Sequence, residues 1–168
     1  MNSDIIDLIR FTQPALKDGL AVTDLIQNSP PLDLNSSYCY MLCCSLWAET
    51  SVCAWEGDKL IGFVSAFIRP DQPEALFIWQ VAVHEDARGK QLAKRMILEI
   101  LNRPASQPAK VLHTTISPDN TASWRMFAGL TRTLKCESRT FDFLDKELHF
   151  HGLHESEELL EIGPFQHP

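Results

Sequence analysis

The sequence predicts an α/β fold in which a mixed, mostly antiparallel central sheet is flanked by helices. Three observations carry this. Short runs rich in Val, Ile, Phe and Trp alternate with stretches whose apolar residues return every three or four positions. Gly, Pro, Asn and Asp clusters separate them. A single strand–helix–strand crossover lies at the centre, and that connection places two strands side by side in parallel.

The elements follow in order. Ile5 to Phe11 reads as a short strand stopped by Pro14. Residues 13 to 28 carry Leu16, Leu20 and Ile26 at helical spacing, and Asn28-Ser29-Pro30-Pro31 ends them. DLNSSYCYMLCCSLW, from Asp33, is a second helix with Asn35, Ser36 or Ser37 as its N-cap. Ser51 to Trp55 and Leu60 to Ile68 flank Glu56-Gly57-Asp58-Lys59, a hairpin turn. Ala75 to Val83 is a third strand of this group. ARGKQLAKRMILEILNR follows as a helix, with Leu92, Met96, Ile97, Ile100 and Leu101 on one face. Val111 to Ile116 is a strand, SPDNTASWRMFAGL a helix, and Thr133 to Phe143 and Glu158 to Ile162 close the sheet. No repeat or linker divides the 168 residues, so one domain spans 1–168.

Composition narrows the function. With 45% hydrophobic and 22% charged residues, the chain has the balance of a soluble globular protein. The segment MNSDIIDLIRF is acidic where a secretory signal is basic, and no apolar run approaches the roughly 20 residues of a membrane span. A cytoplasmic protein with no membrane partner is expected. The net charge of −7 disfavours nucleic acid and suits a cationic ligand. Cys39, Cys43, Cys44, Cys53 and Cys136 form no C-x-x-C pair, so they read as inert thiols and not as a disulfide or zinc framework. No metal site is expected.

The chemistry concentrates in FIWQVAVHEDARGKQLAKRMI, residues 77 to 97: a buried strand, a polar turn, then a helix. Unpaired N–H groups and the positive dipole end at a helix N-terminus can cradle a pyrophosphate. Arg88 and Lys90 add charge there. This strand–turn–helix resembles motif A of the GNAT acetyltransferases, [Q/R]-x-x-G-x-[G/A], with Arg88, Gln91 and Ala93 at the matching positions. Gln91 stands where that family usually has Gly, although Gly89 is close by. In TISPDNTASWRMF, Asn120 matches the Asn that opens the next GNAT helix and faces CoA, with Ser123 and Phe127 on the same helical face. Many members carry a tyrosine general acid where this chain has Phe127.

DLNSSYCYMLCC, FIWQVAVHEDARGK, TISPDNTASWRMF and LHESEELLEIGP, which together span nearly the whole chain, are similar to the diaminobutyrate acetyltransferases within that superfamily. The resemblance implies acetyl transfer from acetyl-CoA to the γ-amine of L-2,4-diaminobutyrate, the first step of ectoine synthesis, and a homodimer. It also implies that acetyl-CoA lies against Val81, Ala82, Val83, Arg88, Gly89, Lys90, Gln91, Leu92, Ala93, Asn120, Ser123 and Phe127.

A ligand with two ammonium groups and one carboxylate needs acids and a few donors. Asp33 and Glu158 are the first choices for the ammonium groups, with Glu157 beside them, since only one of that pair can face a pocket from a strand. Trp79 is expected as a cation–π wall. Tyr38 and Asn35 are placed at the carboxylate, with Tyr38 a candidate proton donor to the leaving thiolate. His154 is either a pocket donor or base, or a surface histidine. His84, His113 and His149 carry no motif. An alkyl ammonium has a pKa of roughly 10, so a proton must leave before the amine attacks. Direct attack is expected, with a backbone N–H of Val81–Val83 stabilising the oxyanion. The rival readings are a GNAT enzyme for another primary amine and a non-catalytic acyl-CoA-binding module.

Overall fold

A computed structural model describes residues 8–168. Its elements run β1 (Ile9–Thr12), α1 (Gly19–Gln27), α2 (Ser37–Leu46), β2 (Val52–Glu56), β3 (Lys59–Ile68), β4 (Ala75–Val83), α3 (Leu92–Leu101), β5 (Val111–Ile116), α4 (Thr121–Leu134), β6 (Ser138–Leu144) and β7 (Glu157–Ile162). This is the predicted order. The part of the first predicted strand at 5–7 lies outside the described residues.

Boundaries shift where capping chemistry overrides periodicity. Ser36 is the N-cap of α2, its side chain accepting from the Cys39 N–H. Helix α3 begins only at Leu92, because residues 85 to 91 are spent in a turn. Helix α4 runs on to Leu134 and stops at Lys135, which is left-handed at φ 53. The strand expected from Thr133 therefore starts at Ser138.

The seven strands lie in the order β1-β2-β3-β4-β5-β7-β6, and every neighbouring pair is antiparallel except β4 with β5. Two apolar clusters cover the two faces. Val22, Ile26, Tyr40 and Cys43 from α1 and α2 pack on Phe63 and Ala82. Met96, Ile97, Phe127 and Leu130 from α3 and α4 pack on Val64, Ile78 and Leu160. Helix α3 sits close because position 62 is glycine: a Cβ there would lie 2.9 Å from the Met96 sulfur.

Candidate active site

The single parallel pair is short. Ala75, Leu76 and Phe77 pair with Val111, Leu112 and His113, and the two strands then part. The Thr114 hydroxyl, donating to the Ile78 carbonyl at 3.0 Å, ties them just past the last rung. From there β4 has no partner strand on its β5 side among the described residues, so its edge faces an opening through the sheet. A second irregularity lies at the same level. Ser65 pairs with Gln80 and Ala66 with Ile78, so Trp79 is bulged out of the ladder. Ile78 and Val81 both pack into the α3–α4 cluster, while Trp79 meets Trp47 edge-on at 5.9 Å and Gln80 reaches the chain at Asp33. The bulge thus turns two consecutive side chains, Trp79 and Gln80, to the α1–α2 side.

Two cavities meet at the opening. The first, about 750 Å³, lies between the α3 turn and α4. Val83, Arg88, Gly89, Gln91, Leu92 and Ala93 line it, joined by Lys94, Arg125 and Arg132. Gly89 has φ 77 and Gln91, the N-cap of α3, has φ 56. Two left-handed residues in three turn the chain sharply into the helix, and a Cβ on Gly89 would meet nothing within 4 Å. Four cationic side chains beside a helix N-terminus fit a pyrophosphate.

The second cavity, about 500 Å³, is lined by Asp33, Asn35, Trp79, Gln80, Val81, Thr115, Asn120, Ser123, Phe127 and Glu157. Ala93, Ala122 and Met126 line both cavities, so the two spaces are continuous. Asn120 caps α4 by accepting from the Ser123 N–H at 3.1 Å. Here the charge is negative. Burial pushes the Glu157 carboxyl above its usual range, and the carboxylates of Asp33 and Asp119 push the same way, against a hydrogen bond with Thr115 and the charge of His154. His154 Nδ1–H donates to the Glu155 carbonyl at 2.7 Å, and Nε2 lies 3.4 Å from the Asp33 carboxylate. The Glu155 carbonyl first, then Asp33, hold the imidazole above its ordinary pKa. These contacts favour the protonated imidazole, and through them His154 ties the 145–156 segment to the Asp33 loop.

Four expectations change. Glu158, the first choice on β7, is absent from both cavities; it shares the face of Leu160 and Ile162, which are buried in the α3–α4 cluster. Glu157 is the one that faces the cavity. Tyr38 lies on the exposed face of α2, 69% accessible, and lines neither cavity. The buried tyrosine is Tyr40, whose hydroxyl accepts from the Asn35 N–H at 2.9 Å. Ala82 is buried against α1 and α2, so only its backbone can serve the opening. Lys90 does not line the phosphate cavity, and Lys94, one turn on, does.

Sequence reasoning missed Gln80, Thr115, Lys94, Arg125 and Arg132. Arg125 and Arg132 were findable: with Ala122, Met126 and Gly129 they repeat at helical spacing along one face of α4. Of the histidines without a motif, His113 is 2% exposed and sits between Arg69 and Glu161, 2.9 Å from each. His84 and His149 accept from nearby backbone N–H groups. The five cysteines are free, and burial pushes Cys43 up to about 12, Cys44 to about 11 and Cys53 further still. Among the described residues no cluster of His, Cys, Asp and Glu could hold a metal ion, and no helix is long and apolar enough to cross a membrane.

Residues 20–130 match the acetyltransferase (GNAT) family. The chain belongs to the GNAT acetyltransferase family. Within it, the chain is 45% identical over 161 residues to the L-2,4-diaminobutyric acid acetyltransferase of Methylotuvimicrobium alcaliphilum, covering 96% of this chain and 94% of that one. It is 44% identical over 152 residues to the enzyme of that name from Vibrio cholerae, covering 90% and 88%. A diaminobutyrate acetyltransferase from Paenibacillus lautus, solved with its substrate L-2,4-diaminobutyric acid and coenzyme A, superposes with a TM-score of 0.89 at 37% identity, over 95% of this chain and 97% of that one. The NatC complex bound to Gag peptide and CoA shares the fold, at a TM-score of 0.72 and 15% identity. The position where the family pattern has glycine is left-handed here, and Gln91 occupies it regardless.

Proposed function

We propose that the domain of residues 1–168 transfers the acetyl group of acetyl-CoA to the γ-amine of L-2,4-diaminobutyrate, giving N4-acetyl-L-2,4-diaminobutyrate. The observation that carries this is the polarity of the two joined cavities: one walled by Arg88, Lys94, Arg125 and Arg132, the other by Asp33 and Glu157. A pyrophosphate belongs in the first and a diamine in the second. The relatives named above supply the particular diamine.

The residues divide the work as follows. The turn from Arg88 to Ala93 and the facing side of α4 hold the nucleotide end of the co-substrate. The edge of β4 along Val81–Val83, unpaired towards β5, offers backbone N–H groups to the thioester carbonyl. Asp33 and Glu157 attract the ammonium groups, and Trp79 walls the cavity beside them. Burial moves the Glu157 carboxyl towards the working pH, which suits it to take the proton from the γ-ammonium. The freed amine attacks the thioester carbon, the C–N bond forms, the C–S bond breaks, and the second proton shed by the nitrogen balances the one the departing thiolate takes up. With a thiol pKa of roughly 8.5 it needs little help, which fits a buried Phe127 at the position where many GNAT members carry tyrosine.

The same reading makes the protein a cytoplasmic enzyme of ectoine synthesis, serving a compatible solute made under osmotic stress. It is a homodimer: Tyr38, Leu42 and Leu46, four residues apart on α2, are exposed, as are Phe141 and Phe143 on β6. Light scattering should give twice the chain mass. Thiol release with acetyl-CoA across a panel of diamines, with product regiochemistry by NMR, tests the activity. Preference for L-2,4-diaminobutyrate with acetylation at the γ-nitrogen is expected. Equal turnover of polyamines or peptides would defeat it, and thiol release with none of the amines would favour the acyl-CoA-binding module.

A further inference from the structure

Gln80 follows the bulged Trp79 on β4 and pairs with Ser65. It is nine-tenths buried, and its Nε2 donates to the backbone carbonyl of Asp33 at 3.2 Å. That bond fixes which way the amide faces, because the reverse orientation would set two carbonyl oxygens against each other. Its own Oε1 is shielded from solvent and has no hydrogen-bond partner among the described residues. Folded proteins rarely leave a buried acceptor in that state. The residue lines the acidic cavity together with Asp33, Trp79, Thr115 and Glu157.

We infer that Gln80 determines specificity for the amine, its Oε1 accepting a hydrogen bond from the ammonium group that does not react. The inference rests on the diaminobutyrate reading. Of the two ammonium groups, the γ-ammonium must lose a proton and turn its lone pair to the thioester, so it belongs beside a carboxylate, Glu157. The α-ammonium stays charged and brings three N–H donors that all need acceptors. A neutral carbonyl meets one of them without adding to the like charges of Asp33, Asp119 and Glu157. The contact requires the amide to turn about its soft terminal torsion, with Nε2 kept near the Asp33 carbonyl and Oε1 brought to the cavity wall. An amine without the α-ammonium leaves this oxygen unpaired, and sites built around a buried hydrogen bond reject such analogues strongly.

The test compares L-2,4-diaminobutyrate with 4-aminobutyrate, which lacks the α-ammonium, as substrate or as competitive inhibitor. Gln80→Met keeps the volume and removes both polar atoms. It should lower kcat/KM for the diamine by about tenfold or more while shifting 4-aminobutyrate by less than about threefold, with the acetyl-CoA KM unchanged. Gln80→Leu should read the same if Met packs badly. Equal losses on both amines would mean that Gln80 only braces the Asp33 loop, and no loss would mean that it does not meet the substrate; either overturns the inference. Ser65, opposite Gln80 in the ladder, also has a buried hydroxyl without a partner among the described residues. Ser65→Ala should keep the wild-type preference, and a collapse of preference there would move the contact to Ser65. Wild-type turnover of the diamine decides the underlying activity separately.

Discussion

Consecutive residues of a strand point to opposite faces, and on β7 that alternation separates two glutamates of identical chemistry. Glu157 faces Thr115 and the Asp33 loop, whereas Glu158 turns to the side of Leu160 and Ile162. Glu157→Gln should therefore cut kcat/KM for the diamine by about 1–3 kcal/mol of lost charged hydrogen bonding, and Glu158→Gln by well under that. The pH dependence separates the roles further. A carboxyl whose folded pKa is raised binds its proton more tightly in the folded state, so its stabilising effect is present at low pH and is lost as pH rises through that raised value. Glu157→Gln removes this loss. Its melting temperature relative to the wild type should rise as the buffer passes from acid to neutral, while the acid limb of the kcat/KM profile disappears. A variant with wild-type efficiency and an unchanged acid limb would show that the proton goes elsewhere.

At the scale of elements, the turn before α3 and the bulge in β4 are where the sequence was most and least readable. Motif A located the turn, and Gln91 stood out as the residue in a glycine position. The backbone gives the reason, a φ of 56 that costs an L-residue about 1–2 kcal/mol. Gln91→Gly should raise stability by about 1 kcal/mol or less after the added chain entropy is counted, with acetyl-CoA still bound; a lower melting temperature would show that the Gln91 side chain holds the turn together. Strand and helix order was legible because apolar spacing reports it directly, and Ala75–Val83 and Val111–Ile116 are strands at the expected residues. The bulge was not legible. Nothing in W-Q-V-A-V announces that Trp79 leaves the ladder and that Gln80 turns to the same side as its neighbour. Tyr38 failed for a related reason: a motif names its residues but not which side of a helix faces the ligand, and on α2 the inward tyrosine is Tyr40.

For the whole molecule, the decisive feature is the place where β4 and β5 part after three paired residues. Helices α3 and α4 cover one face of the sheet and α1 with α2 the other, and at the parting the acidic chamber, lined by Asp33, Trp79 and Glu157 as well as by α4, lies against the basic one. This arrangement has a kinetic signature. Two ligands seated in separate, adjoining chambers do not compete for space, and neither must leave for the other to arrive. Initial-rate plots at several fixed acetyl-CoA concentrations should give lines that intersect, the mark of a ternary complex. A desulfo analogue of CoA should compete with acetyl-CoA yet not with the amine. Parallel lines would point instead to an enzyme that is acetylated first and meets the amine later, and the shape of the opening gives it no reason to wait.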